Sequence, residues 1–247
     1  MKKTIFGIVF LLSLLFAVNV CAEDVSVNGR DIKFSRDTGI PYVNSDYRTM
    51  VPVRIITENL GASVAWSEPE EKVTVTTDSH TVEIFVGKDF IIVDGVSKQM
   101  DTVAIEQGGR TYLPIRYVAE AIDCHVMWFD YKEKAVIMDA DYYGKYTAFR
   151  DMFSYDGVLS DYTEVVVVSA VAQGKMSLEE MTAYWNGMEK EDKKFFITMA
   201  TMEKHDKNPQ YPISIAYIFK DTDGKQYYLA TASTFSYDVQ LFSPFEK

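Results

Sequence analysis

Gly109–Met138, GRTYLPIRYVAEAIDCHVMWFDYKEKAVIM, restates Arg48–Thr76, RTMVPVRIITENLGASVAWSEPEEKVTVT, at an offset of 62 (114 − 52). A repeat at fixed spacing settles architecture before any local reading does. The copies share Arg48/Arg110, Thr49/Thr111, Pro52/Pro114, Arg54/Arg116, Glu58/Glu120, Val64/Val126, Trp66/Trp128, Glu71/Glu133 and Lys72/Lys134. Each reads as a short strand, a helix with proline in its first turn, where the missing N–H costs nothing, and an alternating strand ending in tryptophan. This is a structural unit with no chemistry visible in it.

Two hairpins extend the unit. VSVNGRDIKF turns on Asn28-Gly29 and FIIVDGVSKQM on Asp94-Gly95, dipeptides that accept the positive φ of a tight hairpin. Hairpin to hairpin the offset is 66 (94 − 28), so the first copy carries about four extra residues before its helix, within Ser35–Tyr47. That insert is the expected specialised surface. Val73–Thr77 and Thr81–Val86 read as strands joined at Asp78-Ser79. The pattern predicts an antiparallel sheet carrying two short helices across residues 23–140.

These residues carry a family resemblance. The string VDG…Q…D…GRTYLPIRYVAEA…V.W, with VNG and VPVR…LGASVAW in the first copy, resembles the copper amine oxidase N-terminal-like, or stalk, domain of bacterial envelope proteins. The resemblance implies a stalk module that binds no copper and carries no catalysis. One departure is Asp123, where the first copy and the family have glycine, as at Gly61; a left-handed residue after a helix suits glycine better, which predicts a different cap for the second helix.

Arg54 and Arg116 precede Glu58 and Glu120 by four residues, the spacing at which helical side chains meet. They read as structural guanidinium groups bonding loop carbonyls and their helix partners, against the alternative of anion-binding arginines. Trp66 and Trp128 lie two residues after Val64 and Val126 and four after Ala62 and Cys124, so each trio shares a face. That parity predicts matched core aromatics, with Ser63 and His125 on the solvent side; a carbohydrate platform would need the rings exposed.

Residues 1–22 read as a signal peptide: Lys2 and Lys3 precede the apolar run Ile5–Val18, and Val20-Cys21-Ala22 fits a small-x-small cleavage site, predicting a mature start at Glu23. Asn19-Val20 before Cys21 does not suit a lipoprotein signal. The expected location is secreted, extracellular and cell-wall associated, with no transmembrane segment after cleavage. Without the signal, 36 acidic side chains face 23 basic ones (25 minus Lys2 and Lys3). Such a charge excludes nucleic acid and anionic membranes as natural partners. A protein or a cell-wall polymer remains. Cys124, alone in the mature chain, forms no internal disulfide and reads as a small buried core residue.

From Asp141 to Lys247 no family is recognised. Tyr143–Phe153, a segment opened by an Asp161/Glu164 capping box and running to Gly174, Leu178–Asn186 behind a Ser177/Glu180 box, and Met188–Lys204 read as about four helices. The four valines 165–168 equally suit a strand. Pro209 and Pro212 stop the last helix, and Ile213–Phe219 with Lys225–Phe235 read as a β-hairpin. The expected fold is therefore α+β throughout: residues 1–22 signal, 23–140 duplicated stalk-like domain, 141–247 a separate α+β domain.

No catalytic residue, cofactor or metal ligand is assigned. His80, His125 and His205 are far apart in sequence, and copper-type amine oxidation needs a three-histidine site. Asp221-x-Asp223-Gly224 reads as a plain turn, because position twelve from Asp221 is Ala232 and not the bidentate acid of a calcium loop. Glu179/Glu180 are explained by helix capping. The sequence reading is a non-catalytic scaffold presenting a C-terminal module that binds a protein or wall component. Its rivals are a wall glycosidase with C-terminal carboxylates and a small-ligand sensor with a Tyr- and Met-rich interior.

Overall fold

The computed structural model describes residues 24–129, 132–158, 166–173, 176–206, 212–234, 236 and 238–245. The expected signal peptide, the Asp161/Glu164 box, Pro209 and Phe235 lie outside the described residues. The first half runs β1 (Asp24–Val27), β2 (Arg30–Asp31), β3 (Tyr42–Val43), β4 (Thr49–Pro52), α1 (Val53–Asn59), β5 (Ser63–Ser67), β6 (Lys72–Thr76), β7 (Thr81–Phe85), β8 (Phe90–Val93) and β9 (Val96–Gln99). It continues through β10 (Ile105–Glu106), β11 (Thr111–Pro114), α2 (Ile115–Glu120), β12 (His125–Phe129) and β13 (Lys134–Met138).

The repeat is a repeat in hydrogen bonds as well as letters. After α1, Ala62 N donates to Thr57 O and Gly61 N to Glu58 O; after α2, Cys124 N donates to Ala119 O and Asp123 N to Glu120 O. Gly61 and Asp123 both adopt positive φ, 83° and 56°. The different cap expected at Asp123 is therefore not formed: aspartate accepts the left-handed strain. Glu71 and Glu133 repeat the pattern, each at φ 47°. Strand β4 pairs antiparallel with β11, setting Val51 opposite Leu113 and relating the copies by a local two-fold.

The duplicated half also closes on itself. In the first copy β6, β7 and β8 run antiparallel within the sheet β5-β6-β7-β8-β9, whereas β13 pairs directly and in parallel with β1 in the sheet β12-β13-β1-β2. The single antiparallel sheet expected is thus three sheets, the third being β10-β11-β4-β3, and their strands pair antiparallel except where β13 meets β1. The core between these layers gathers Val25, Val27, Val51, Ile56, Ile84, Leu113, Val118 and Ile137, each no more than 3% exposed.

The second half runs α3 (Ala140–Arg150), β14 (Phe153–Val158), β15 (Val166–Gln173), α4 (Leu178–Gly187), α5 (Lys190–Asp206), β16 (Ile213–Lys220), β17 (Gln226–Ser233) and β18 (Val239–Leu241). It forms one sheet in the order β14-β15-β16-β17-β18. The described residues of this half hold three helices where four were expected. Val166–Val168 lie in strand β15, as a β-branched run, stiff at χ1, favours extended backbone. Asp139 caps α3 by accepting from Tyr142 N, and Ser177 with Glu180 makes the expected capping box on α4.

The two cores share a sheet. In β13, Ala135 and Ile137 face the first core while Val136 and Met138 face the second, so all four are 0% exposed. Copy one alternates at the same place, KVTVT, with Thr76 exposed. Phe129 replaces Ser67 of the first copy and is buried in the second core; His125 replaces Ser63 and stacks on Tyr143 at 3.8 Å. The solvent side expected for His125 is thus roofed in part by α3. Asn28 and Asp139 lock the seam: Asn28 Nδ2 donates to Asp139 Oδ2 at 2.6 Å and Asp139 N to Asn28 Oδ1 at 3.0 Å.

Candidate binding groove

Tryptophan decides where the surface is interesting. Along β5 the shared face opens outward, from Ala62 at 6% exposure through half-buried Val64 to Trp66 at 41%; in the second copy Cys124 is 7% exposed and Trp128 37%. The expected core aromatics are therefore rim residues. The parity argument held, but β5 and β12 are edge strands and the core ends before the strand does. Trp66 Nε1 donates to Glu68 Oε2 at 2.6 Å, which fixes the ring although it is exposed.

A groove of about 320 Å³ opens beside Trp66. Its floor is apolar, from Pro52, Val53, Ile55, Val64 and Val73; its walls are Arg54 and Glu58 of α1, the turn Gly108–Thr111, and Asp37 and Thr38. Arg54 Nη1 donates to Glu58 Oε1 at 3.3 Å and to Val64 O at 3.1 Å, so it ties helix to strand edge. Arg110 donates through Nε and Nη2 to Asp37 O at 3.0 and 2.8 Å. Among the described residues Arg110 forms no ion pair. Its repeat partner Arg48 instead pairs with Asp101, which also accepts from the Tyr117 hydroxyl; the guanidinium beside it holds the Asp101 carboxyl below the usual carboxylate range.

The insert of the first copy completes this groove against the turn Gly108–Thr111 of the second. Tyr42 and Ile105 occupy equivalent pairing positions opposite Met50 and Tyr112, an offset of 63 (105 − 42) against 66 for the hairpins. Three of the extra residues therefore lie between β2 and β3, where Asp37 and Thr38 wall the groove, and one lies in the turn before β4. Gly39, at φ 90°, lets this loop pass so close that a Cβ would collide with the Tyr112 hydroxyl and Pro52.

The structure thus gathers Pro52, Arg54, Glu58 and Trp66 at one groove. Pro114, Arg116, Glu120 and Trp128 form the matching unit without the insert; Arg116 Nε stands 3.7 Å from Glu120 Oε1, both exposed. Asp37 and the groove role of Arg110 escaped sequence reasoning, since 73 residues separate them. The signal available was the insert itself.

Other clusters have structural explanations. His80 bridges two turns, with Nδ1 2.7 Å from Asp94 Oδ2 and Nε2 2.7 Å from Asp123 Oδ2. These bonds, the one to Asp94 foremost, raise the imidazole pKa. Burial pushes the Cys124 thiol up to about 12. Asp221 Oδ1 accepts from Asp223 N and Lys225 N, the geometry of a plain turn. In the second half an open depression includes Asp151 and Glu203, but Arg150 reaches both, at 2.8 and 3.6 Å. Among the described residues no group of three His, Cys, Asp or Glu is gathered as a metal site, and no helix is long and apolar enough to cross a membrane.

Residues 26–137 match the family described as the copper amine oxidase N-terminal domain. The copper amine oxidase N-terminal domain is a non-catalytic, stalk-like domain in that family, and the match runs from β1 to β13, the span that the local two-fold organises. The groove therefore lies wholly within the matched residues. No curated protein matches the chain.

Proposed function

We propose that this is an exported, non-catalytic binding protein of the cell envelope, in which the duplicated domain is itself the binding element. The observation that carries the reading is the groove: a fixed, exposed indole set between two arginines and two carboxylates on a scaffold whose family is non-catalytic. Sequence alone pointed to the C-terminal module as the binder. The apolar face that the second copy turns to that module suits a docked support for the domain. Export is supported by the Lys2-Lys3 start, the apolar run and the Val20-Cys21-Ala22 site. The strong negative charge favours wall polymer or protein over anionic surfaces.

The test has two arms. The secreted chain recovered from a bacterial host is sequenced from its N-terminus, and the expected first residue is Glu23. The purified mature protein is then sedimented with isolated cell wall. Retention that falls in Trp66→Leu supports the groove; a protein that stays in the supernatant at every wall concentration overturns the envelope-binding reading.

A further inference from the structure

Resting on that reading of the groove, we infer that its occupant is a glycan chain of balanced charge, one sugar ring of which stacks on Trp66. A pyranose ring offers a flat C–H face to an aromatic ring and hydroxyl pairs at its edge. The groove supplies both complements. The indole is oriented in advance by its bond to Glu68, so little side-chain freedom is left to lose on binding. Around it stand donors and acceptors in equal number of sign: Arg54 and Arg110 against Asp37 and Glu58.

Two alternatives fit less well. An anionic ligand would meet no net positive charge, because the two guanidinium groups are offset by the two carboxylates in the same lining. An extended peptide adding to the free edge of β5 would need the Val64 carbonyl, which Arg54 already occupies at 3.1 Å. The apolar floor and a volume of about 320 Å³ sit at the low end of the roughly 300–1,000 Å³ of small-ligand sites. That suits one or two rings of a longer chain.

The experiment titrates soluble oligosaccharides, β-1,4-linked N-acetylglucosamine oligomers and gluco-oligomers, into the full mature protein while tryptophan emission is read, with the heat of binding measured by calorimetry for the parent and every variant. An acidic and a basic decapeptide serve as competing probes. A saturable emission change is expected with a sugar series, together with at least about tenfold weaker binding in Trp66→Leu and Arg54→Gln, as for loss of a central contact. Trp66→Tyr keeps a stacking face and is expected to bind within about threefold of the parent, while Trp128→Leu, outside the groove, is expected to bind as the parent does. Circular dichroism melts establish that each variant is folded, and a variant that is not is replaced by Glu58→Gln. Sugar binding indifferent to Trp66, peptide binding in place of sugar binding, or silence of every sugar would overturn the glycan assignment. Trp66-dependent wall retention with silent sugars removes only that assignment; sugar binding without wall retention removes only the envelope reading.

Discussion

Val51 and Leu113 face each other across β4 and β11, the same position of two copies, both wholly buried. The local two-fold passes between them, so each supports both copies at once. Leu113→Ala is expected to destabilise the protein by about 2–5 kcal/mol, the range for a buried leucine replaced by alanine. Denaturant melts read this directly; a loss under about 1 kcal/mol, typical of surface sites, would mean that the axis is not a core position.

Because β13 is buried on both faces, the halves are expected to unfold together. Phe129, Val136 and Met138 would be exposed by cutting the chain after Ala140, each worth about 1.5–3 kcal/mol of burial. Far-ultraviolet dichroism and tryptophan emission, the latter reporting Trp66 and Trp128 in one half and Trp185 in the other, are expected to give coincident transitions. Two resolved transitions would show that the halves are independent.

The seam can be tested by two small substitutions of opposite effect. Gly29, at φ 76°, lies where a Cβ would collide with the Tyr142 hydroxyl and crowd Phe195. Gly29→Ala is thus expected to cost at least about 1–2 kcal/mol. Ser26, fully buried beside Val136, has a hydroxyl with no hydrogen-bond partner among the described residues. Removing an unsatisfied buried hydroxyl is expected to be neutral or stabilising by up to about 1 kcal/mol in Ser26→Ala. A marked loss in Ser26→Ala would reveal a bonded hydroxyl.

The His80 bridge makes stability pH-dependent in a defined direction. Its folded pKa is raised, chiefly by Asp94 and then by Asp123, so its contribution is complete below the unfolded value near 6.5 and is lost as pH rises through the folded value. Asp94, lowered chiefly by His80, contributes above its ordinary range and loses that contribution as pH falls through its depressed value. The difference in melting temperature between the parent and His80→Gln is therefore expected to be largest near pH 5–6 and to shrink toward pH 9. A difference constant over that span would show that the bridge does not raise the imidazole pKa.

Cys124 is expected to resist thiol reagents in the native protein, since it is buried and its pKa is pushed up to about 12. Absorbance with a chromogenic disulfide should develop only as the protein unfolds in denaturant. Rapid native labelling would contradict the burial.

Local sequence sufficed for the duplication, the two hairpin turns, the two helices of the repeat and the likeness of residues 26–137 to the copper amine oxidase N-terminal domain family, because periodicity and turn chemistry are local and every copy repeats them. It also held an unused signal. KVTVT alternates where KAVIM does not, and Ser67 becomes Phe129, which marks the second copy as covered on both faces. Tertiary structure alone decided how far each core extends: Trp66 and Val64 share a parity, yet only the packing of α1 against β5 fixes where burial stops and exposure begins. It alone brought Arg110 to Asp37 and Trp66 to the same groove, since chain closure across such separations depends on how sheets stack and leaves no period in the residues.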